Sequence, residues 1–184
     1  LHEKPFYGIN GSGKHNNYSI ITDDGQNLFD PGKKPAENIR FLTFMCAFIE
    51  AVDNYALLLR LSASSAGNDH RLGAHEAPPA IISIYLGSYI EDILFSLYQD
   101  HPSIRKDAST VDFTPLTNLA YIPHDNADRN RTSPLAFTGN KFEFRMLGSS
   151  MNASFANTVL NTIIAHSLKK ISEELDTCKT VEEV

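Results

Sequence analysis

The 184 residues carry 42% hydrophobic and 21% charged side chains, a composition of folded globular domains and unlike disordered or fibrous chains. A formal charge of -6 without a dense Lys/Arg run argues against nucleic acid or an anionic membrane surface as the main partner, and favours small molecules or other protein chains. The two cysteines, Cys46 and Cys178, have neither the spacing of a zinc knuckle nor that of a disulfide framework, which fits a reducing cytoplasm.

In chain order, Lys4 to Ile21 mixes aromatic and β-branched residues around Gly8-Ile9-Asn10-Gly11-Ser12-Gly13 and predicts two short strands joined by a tight turn. Alternation along the second strand puts His15, Asn17 and Ser19 on one face. Asp23-Asp24-Gly25 and Asp30-Pro31-Gly32 read as turns, and Pro35 is placed to open a helix. From Ala36 to about Leu61 apolar positions run almost all the way round, the pattern of one buried helix. Its charges, Glu50, Asp53 and Arg60, argue against a membrane span.

Ser62 to Pro79 is polar and reads as a long loop, the kind of segment that binds ligands or closes over them. Ile81 to Tyr85 predicts a strand. Ser88 to Gln99 predicts a helix with Ile90, Ile93, Leu94 and Leu97 on one stripe. Residues 101 to 123 read as irregular, with short strands near 111 to 114 and 119 to 122. Pro134 to Met146 predicts a hairpin about Thr138-Gly139-Asn140, with Phe142 and Phe144 on one side and Lys141, Glu143 and Arg145 on the other. A helix from Asn152 to Leu175 follows, with Phe155, Val159, Leu160, Ile163, Ile164, Leu168, Ile171 and Leu175 at helical spacing. The opening residue is not Met, and the closing Thr180-Val181-Glu182-Glu183-Val184 is helical without a stop signal, so both ends read as cut.

Two short motifs mislead. Gly8-x-x-x-x-Gly13-Lys14 approaches a phosphate-binding P-loop, but His15 stands where a hydroxyl is needed, and a strand-like run follows where a helix must begin. His2-Glu3 and His75-Glu76 start a zinc-protease pattern without the second histidine. Taken singly, His15 is more often a hydrogen-bonded histidine than a ligand, and Glu143 more often part of a solvated face.

The order of the segments carries more. Asn10-Gly11-Ser12-Gly13-Lys14-His15-Asn16-Asn17-Tyr18-Ser19, preceded by Lys4-Pro5, resembles the glutamine synthetase signature Asn-Gly-Ser-Gly-x-His-x-His-x-Ser. Arg71-Leu72 with Glu76-Ala77-Pro78, Asn130-Arg131-Thr132-Ser133 and Phe142-Glu143-Phe144-Arg145 follow in the family's order, and the variants around them resemble the type III form. The resemblance covers essentially the whole chain and implies residues 1–184 to be a C-terminal part of the catalytic domain. The N-terminal β-grasp domain and the first catalytic strands, with their metal-binding glutamates, would be absent.

That resemblance implies an α+β fold, antiparallel strands of a partial barrel with helices 36 to 61, 88 to 99 and 152 to 175 packed outside. It implies ATP-dependent ligation of ammonia to glutamate through a γ-glutamyl phosphate, in a cytoplasmic, ring-based homo-oligomer, a dodecamer in the full-length parent. His15 and Glu143 would ligate Mg²⁺ or Mn²⁺; Asn10, Gly11, Arg71 and Arg145 would hold glutamate; Glu76 would close over it and take a proton from ammonium. Ser19, Asn17, Arg131 and Lys141 would form the nucleotide site, Arg131 with a catalytic part as well. Asn17 replaces a histidine of the commoner forms, Ala136 an arginine and Lys141 an arginine, so the glutamate pocket matches better than the ATP pocket. Two other readings compete: a non-catalytic scaffold or assembly fragment, because the isolated chain lacks the second metal's ligands, and a related ligase for another amine or acid.

Overall fold

A computed structural model describes residues 12–73, 79–99 and 133–178. Among them the chain forms strands β1 (Asn16–Tyr18), β2 (Ile84–Tyr85), β3 (Leu135–Phe137) and β4 (Phe142–Phe144), and helices α1 (Ile39–Asn54), α2 (Ala56–Ser62), α3 (Ala66–Arg71), α4 (Ser88–Tyr98) and α5 (Ala153–Leu175). The expected α+β class is what the structure has. The sheet runs in the order β1-β4-β3-β2. β4 pairs antiparallel with β1 and with β3, as an all-antiparallel reading requires, whereas β2 joins β3 in parallel.

The β3–β4 hairpin forms where expected. Gly139 at φ 90° supplies the left-handed residue of the turn, and the Thr138 amide donates to the Lys141 carbonyl at 2.8 Å. Phe142 and Phe144 are fully buried. Phe142 stacks on Phe48 of α1, with centroids 3.7 Å apart and planes at 9°, and Phe29 meets both rings edge-on. These contacts dock α1 against the hairpin, with the apolar effect of large buried rings as the main driving force.

Helix α5 runs close to its expected bounds, with the Asn152 side chain capping the Ser154 amide at 2.8 Å. Val159, Leu160, Ile163 and Ile164 are buried, while Phe155, expected on the same stripe, is 50% exposed. Beneath the sheet, Asn16 Nδ2 donates to Asn157 Oδ1 and the Tyr18 hydroxyl to Asn161 Oδ1, each at 2.7 Å. Because side chains alternate along β1, committing Asn16 and Tyr18 to α5 turns their odd-numbered neighbours to the opposite face.

The single helix expected from Ala36 to Leu61 is three pieces. A 3-10 turn spans Pro35–Glu37, the Asn38 side chain caps α1 by accepting from the Phe41 amide, and the helix breaks at Tyr55 with an 81° bend into α2. Tyr55 still donates its amide to the Ala51 carbonyl at 3.1 Å, but its backbone turns to φ -121°, ψ 24°, and its ring packs edge-on against His166 of α5, the hydroxyl 3.2 Å from the His166 Nδ1. Apolar periodicity is blind to such a break, since both halves keep helical spacing. Leu57 and Leu61 of α2 are consequently exposed rather than buried. The expected loop from Ser62 to Pro79 holds helix α3, started by the Ser65 side chain accepting from the Asn68 amide. No single helix among the described residues is long and apolar enough to cross a membrane.

Candidate functional site

The face of the sheet away from α5 carries the charged groups. Register places Asn17, Glu143 and Ala136 side by side on β1, β4 and β3, with Tyr85 of β2 beside Ala136. Thus two of the three positions expected from the resemblance to differ from the commoner forms, Asn17 and Ala136, flank Glu143 directly. His15 enters the same face one pleat earlier, its Nδ1 3.5 Å from Glu143 Oε2. The imidazole is 58% exposed and the carboxylate 16%, so the pair opens to solvent from the histidine side.

Arg145 lies on this face too. Its side chain is nearly buried and reaches back along β4, with Nη2 3.2 Å and Nε 3.3 Å from Glu143 Oε2. One carboxylate oxygen therefore faces both a guanidinium and an imidazole.

Arg71, at the end of α3, is buried to 6% exposure although its segment reads as a solvated loop. Its Nε donates to Asn68 Oδ1 at 2.8 Å, and its Nη2 to the carbonyls of Met146 at 2.7 Å and Leu147 at 3.2 Å. Nη1 lies against Gly13: a Cβ built on that glycine would sit 2.5 Å from it. Gly13 in turn bridges to Gly148, and the Lys14 amide donates to the Leu147 carbonyl at 2.9 Å. The chain entering β1 and the chain leaving β4 are thus closed around the Arg71 guanidinium, a packing that leaves room for glycine alone.

The sheet therefore brings together His15, Asn17, Glu143 and Arg145, with Arg71 behind their base. Ser19, half-buried just after β1, and Lys141, before β4, stand farther along toward the turn end. Asn10, Gly11, Glu76 and Arg131 lie outside the described residues, as do the first expected strand, the strands near 111 to 114 and 119 to 122, and both His-Glu pairs. Lys14, the lysine of the P-loop-like run, leads into a strand and donates its ammonium to the Met151 carbonyl at 2.6 Å. A phosphate loop opening a helix is not what this segment builds. A separate pocket of about 620 Å³, lined by Cys46, Glu50, Asp53, Ile84 and Leu94 among others, touches none of the site residues.

As a test for a divalent cation, His15 and Glu143 supply an imidazole nitrogen and a carboxylate oxygen that converge from adjacent strands, donors suited to Mg²⁺ or Mn²⁺. They fit as half of a set: no group of three or more His, Cys, Asp or Glu side chains converges among the described residues.

No family model matches the chain. Over 180 residues, 95% of its length, it is 54% identical to the type-3 glutamine synthetase of Dictyostelium discoideum. The chain belongs to the glutamine synthetase family. It is also 58% identical over 143 residues (78% of the chain) to a glutamine synthetase of Butyrivibrio fibrisolvens, and 47% identical over 178 residues (96%) to one of Bacteroides fragilis strain YCH46. The chain spans about a quarter of the length of these relatives or less: 24%, 20% and 24% of them in that order.

For a glutamine synthetase segment, the least legible part of this site was its support. Asn68, fully buried, holds Arg71 and also donates its Nδ2 to the carbonyls of Ala63 at 2.6 Å and Met146 at 2.7 Å. Nothing in a run such as Gly67-Asn68-Asp69-His70 separates a buried asparagine from a turn asparagine. The usable signal was the three-residue spacing from Asn68 to Arg71, which puts two polar groups on one side of a helical turn.

Proposed function

We propose that this chain contributes one wall of an active site that joins ammonia to glutamate at the cost of ATP, by way of a γ-glutamyl phosphate. The observation that carries this reading is the His15–Glu143–Arg145 group on one sheet face, an imidazole and a carboxylate set beside a guanidinium. His15 and Glu143 would hold one Mg²⁺ or Mn²⁺, which when bound offsets charge developing on the transferred phosphoryl group. Arg145, and Arg71 beneath it, would give the acceptor carboxylates a fixed positive environment, and Asn10 and Gly11 would complete the glutamate pocket. Glu76 would take a proton from ammonium while its loop excludes water. Ser19, Asn17, Lys141 and Arg131 would line the nucleotide site, with Arg131 also countering charge during transfer.

In this reading the sheet is part of a larger, partial barrel, and a β-grasp domain from a neighbouring subunit of a ring-shaped, cytoplasmic homo-oligomer completes the site. The isolated chain would then be inactive, because the described residues bring only two metal donors together. That same observation favours, for the isolated chain alone, the reading of a non-catalytic assembly piece.

The test is ATP-dependent glutamine formation from glutamate and ammonium with Mg²⁺, run on this chain and on the full-length protein. Activity confined to the full-length protein is expected. Activity in neither would sink the reading in favour of a related ligase, and activity in the isolated chain would show the additional ligands to be dispensable. Replacing Glu76 by Ala in the full-length protein is expected to depress turnover far more than ATP binding.

A further inference from the structure

Asn68 uses its side chain in both senses at once. It is fully buried on α3, accepts from Arg71 Nε at 2.8 Å, and donates to Ala63 O at 2.6 Å and Met146 O at 2.7 Å. The Met146 carbonyl also receives Arg71 Nη2 at 2.7 Å. Asparagine, guanidinium and peptide carbonyl therefore close a ring of three hydrogen bonds. A ring of this kind fixes both the position and the tilt of the guanidinium plane, since a buried group that loses any one partner is left with an uncompensated polar atom.

The ring sits immediately after Arg145 in the chain and against Gly13, two residues before His15. The segments that lead into β1 and out of β4, and bear the site's charged groups, are thereby both held by one short helix.

We infer that Asn68 is a positioning residue for the acceptor-carboxylate site, acting through Arg71. This rests on the reading of Arg71 as part of the glutamate pocket. Its chemistry is specific: an amide offers a donor pair for the two carbonyls and an acceptor for the guanidinium, a combination that aspartate, serine and leucine each lack. In the absence of Asn68, Arg71 would keep its charge but lose its orientation, and a bidentate contact to a carboxylate depends on orientation.

The experiment is steady-state kinetics on the full-length protein carrying Asn68→Ala, Arg71→Lys or both, with thermal midpoints measured alongside. Asn68→Ala is expected to raise KM for glutamate about tenfold, the scale of one hydrogen bond to a charged group, with KM for ATP unchanged. The double variant is expected to show little more than the larger single effect, because the two residues act as one unit. A lowered midpoint with wild-type KM for glutamate would overturn the inference, as would effects that multiply in the double variant. If the alanine variant does not fold, Asn68→Ser, whose hydroxyl is too short to reach Arg71, must show the raised KM. Failure of both to fold assigns Asn68 to the fold and overturns the inference too. An inactive wild-type full-length protein would instead bring down the functional reading and this inference with it, an outcome distinct from active variants of normal KM.

Discussion

Arg145 Nη2 and His15 Nδ1 approach the same oxygen of Glu143, at 3.2 Å and 3.5 Å. The carboxylate is thus shared between a permanent cation just past the end of its own strand and a histidine just before the neighbouring one. A metal ion bound by His15 and Glu143 would compete with Arg145 for that oxygen.

Replacing Glu143 by Gln is expected to raise the Mn²⁺ dissociation constant of the full-length protein at least about tenfold, by removing a charged donor. His15→Ala should weaken Mn²⁺ binding as well. Calorimetric titration of Mn²⁺ measures both, and unchanged affinity in the two variants would remove the metal assignment.

Gly13→Ala should be poorly tolerated. The added Cβ would meet Arg71 Cζ at 2.6 Å and Nη2 at 2.9 Å, and the guanidinium cannot retreat without breaking its bonds to Asn68 and Met146. A loss of about 1–3 kcal/mol is expected, the range for overpacking a filled site. Denaturant midpoints on the full-length protein would measure it. The double variant with Arg71→Ala should recover much of the packing cost.

Phe48→Ala is expected to cost about 3–5 kcal/mol, the range for deleting a buried aromatic ring. Phe48 is completely buried and supports Phe142, the neighbour of Glu143 on β4. Thermal unfolding checks the loss. Because the hairpin is held from beneath, metal binding should weaken in parallel with stability.

Burial pushes the Tyr18 phenol up to about 12. The folded protein therefore keeps a proton that the unfolded chain releases near pH 10, so stability falls as pH rises from about 10 to about 12. Below that window the phenol is protonated in both states and contributes no pH dependence. Tyr18→Phe should lose about 1 kcal/mol at neutral pH, from the missing bond to Asn161, and show a shallower decline above pH 10. Urea midpoints across pH in the two proteins make the comparison.

The hairpin, the last helix and the charged face of β4 were legible because each rests on a local rule: a turn glycine, a 3.6-residue stripe, a two-residue alternation. Tyr55 and Asn68 were not. The ring of Tyr55, at the break, packs on His166 of a helix distant in sequence, and Asn68 of α3 bonds to a carbonyl just past β4, partners that no local rule displays. Phe155 fits the apolar stripe of α5 but is left half-exposed, and periodicity alone cannot say where along a helix the packing against the core stops. The grouping of His15 with Glu143 came from the resemblance and not from spacing, since the pairing of β1 with β4 is set by the whole sheet.

The bonds from Asn16 and Tyr18 to α5 span 141 and 143 residues of sequence. Closing so long a loop is entropically costly and slow, and contacts of this separation form late in folding. During synthesis β1 leaves the ribosome among the first residues of this segment yet finds its partner strand and helix only after nearly all of it has emerged. His15 must then wait, exposed and unpaired, while the hairpin and α5 are still being made. The site is thus a terminal product of folding, and a mutation that slows α5 docking should delay the appearance of cation binding without altering its final strength.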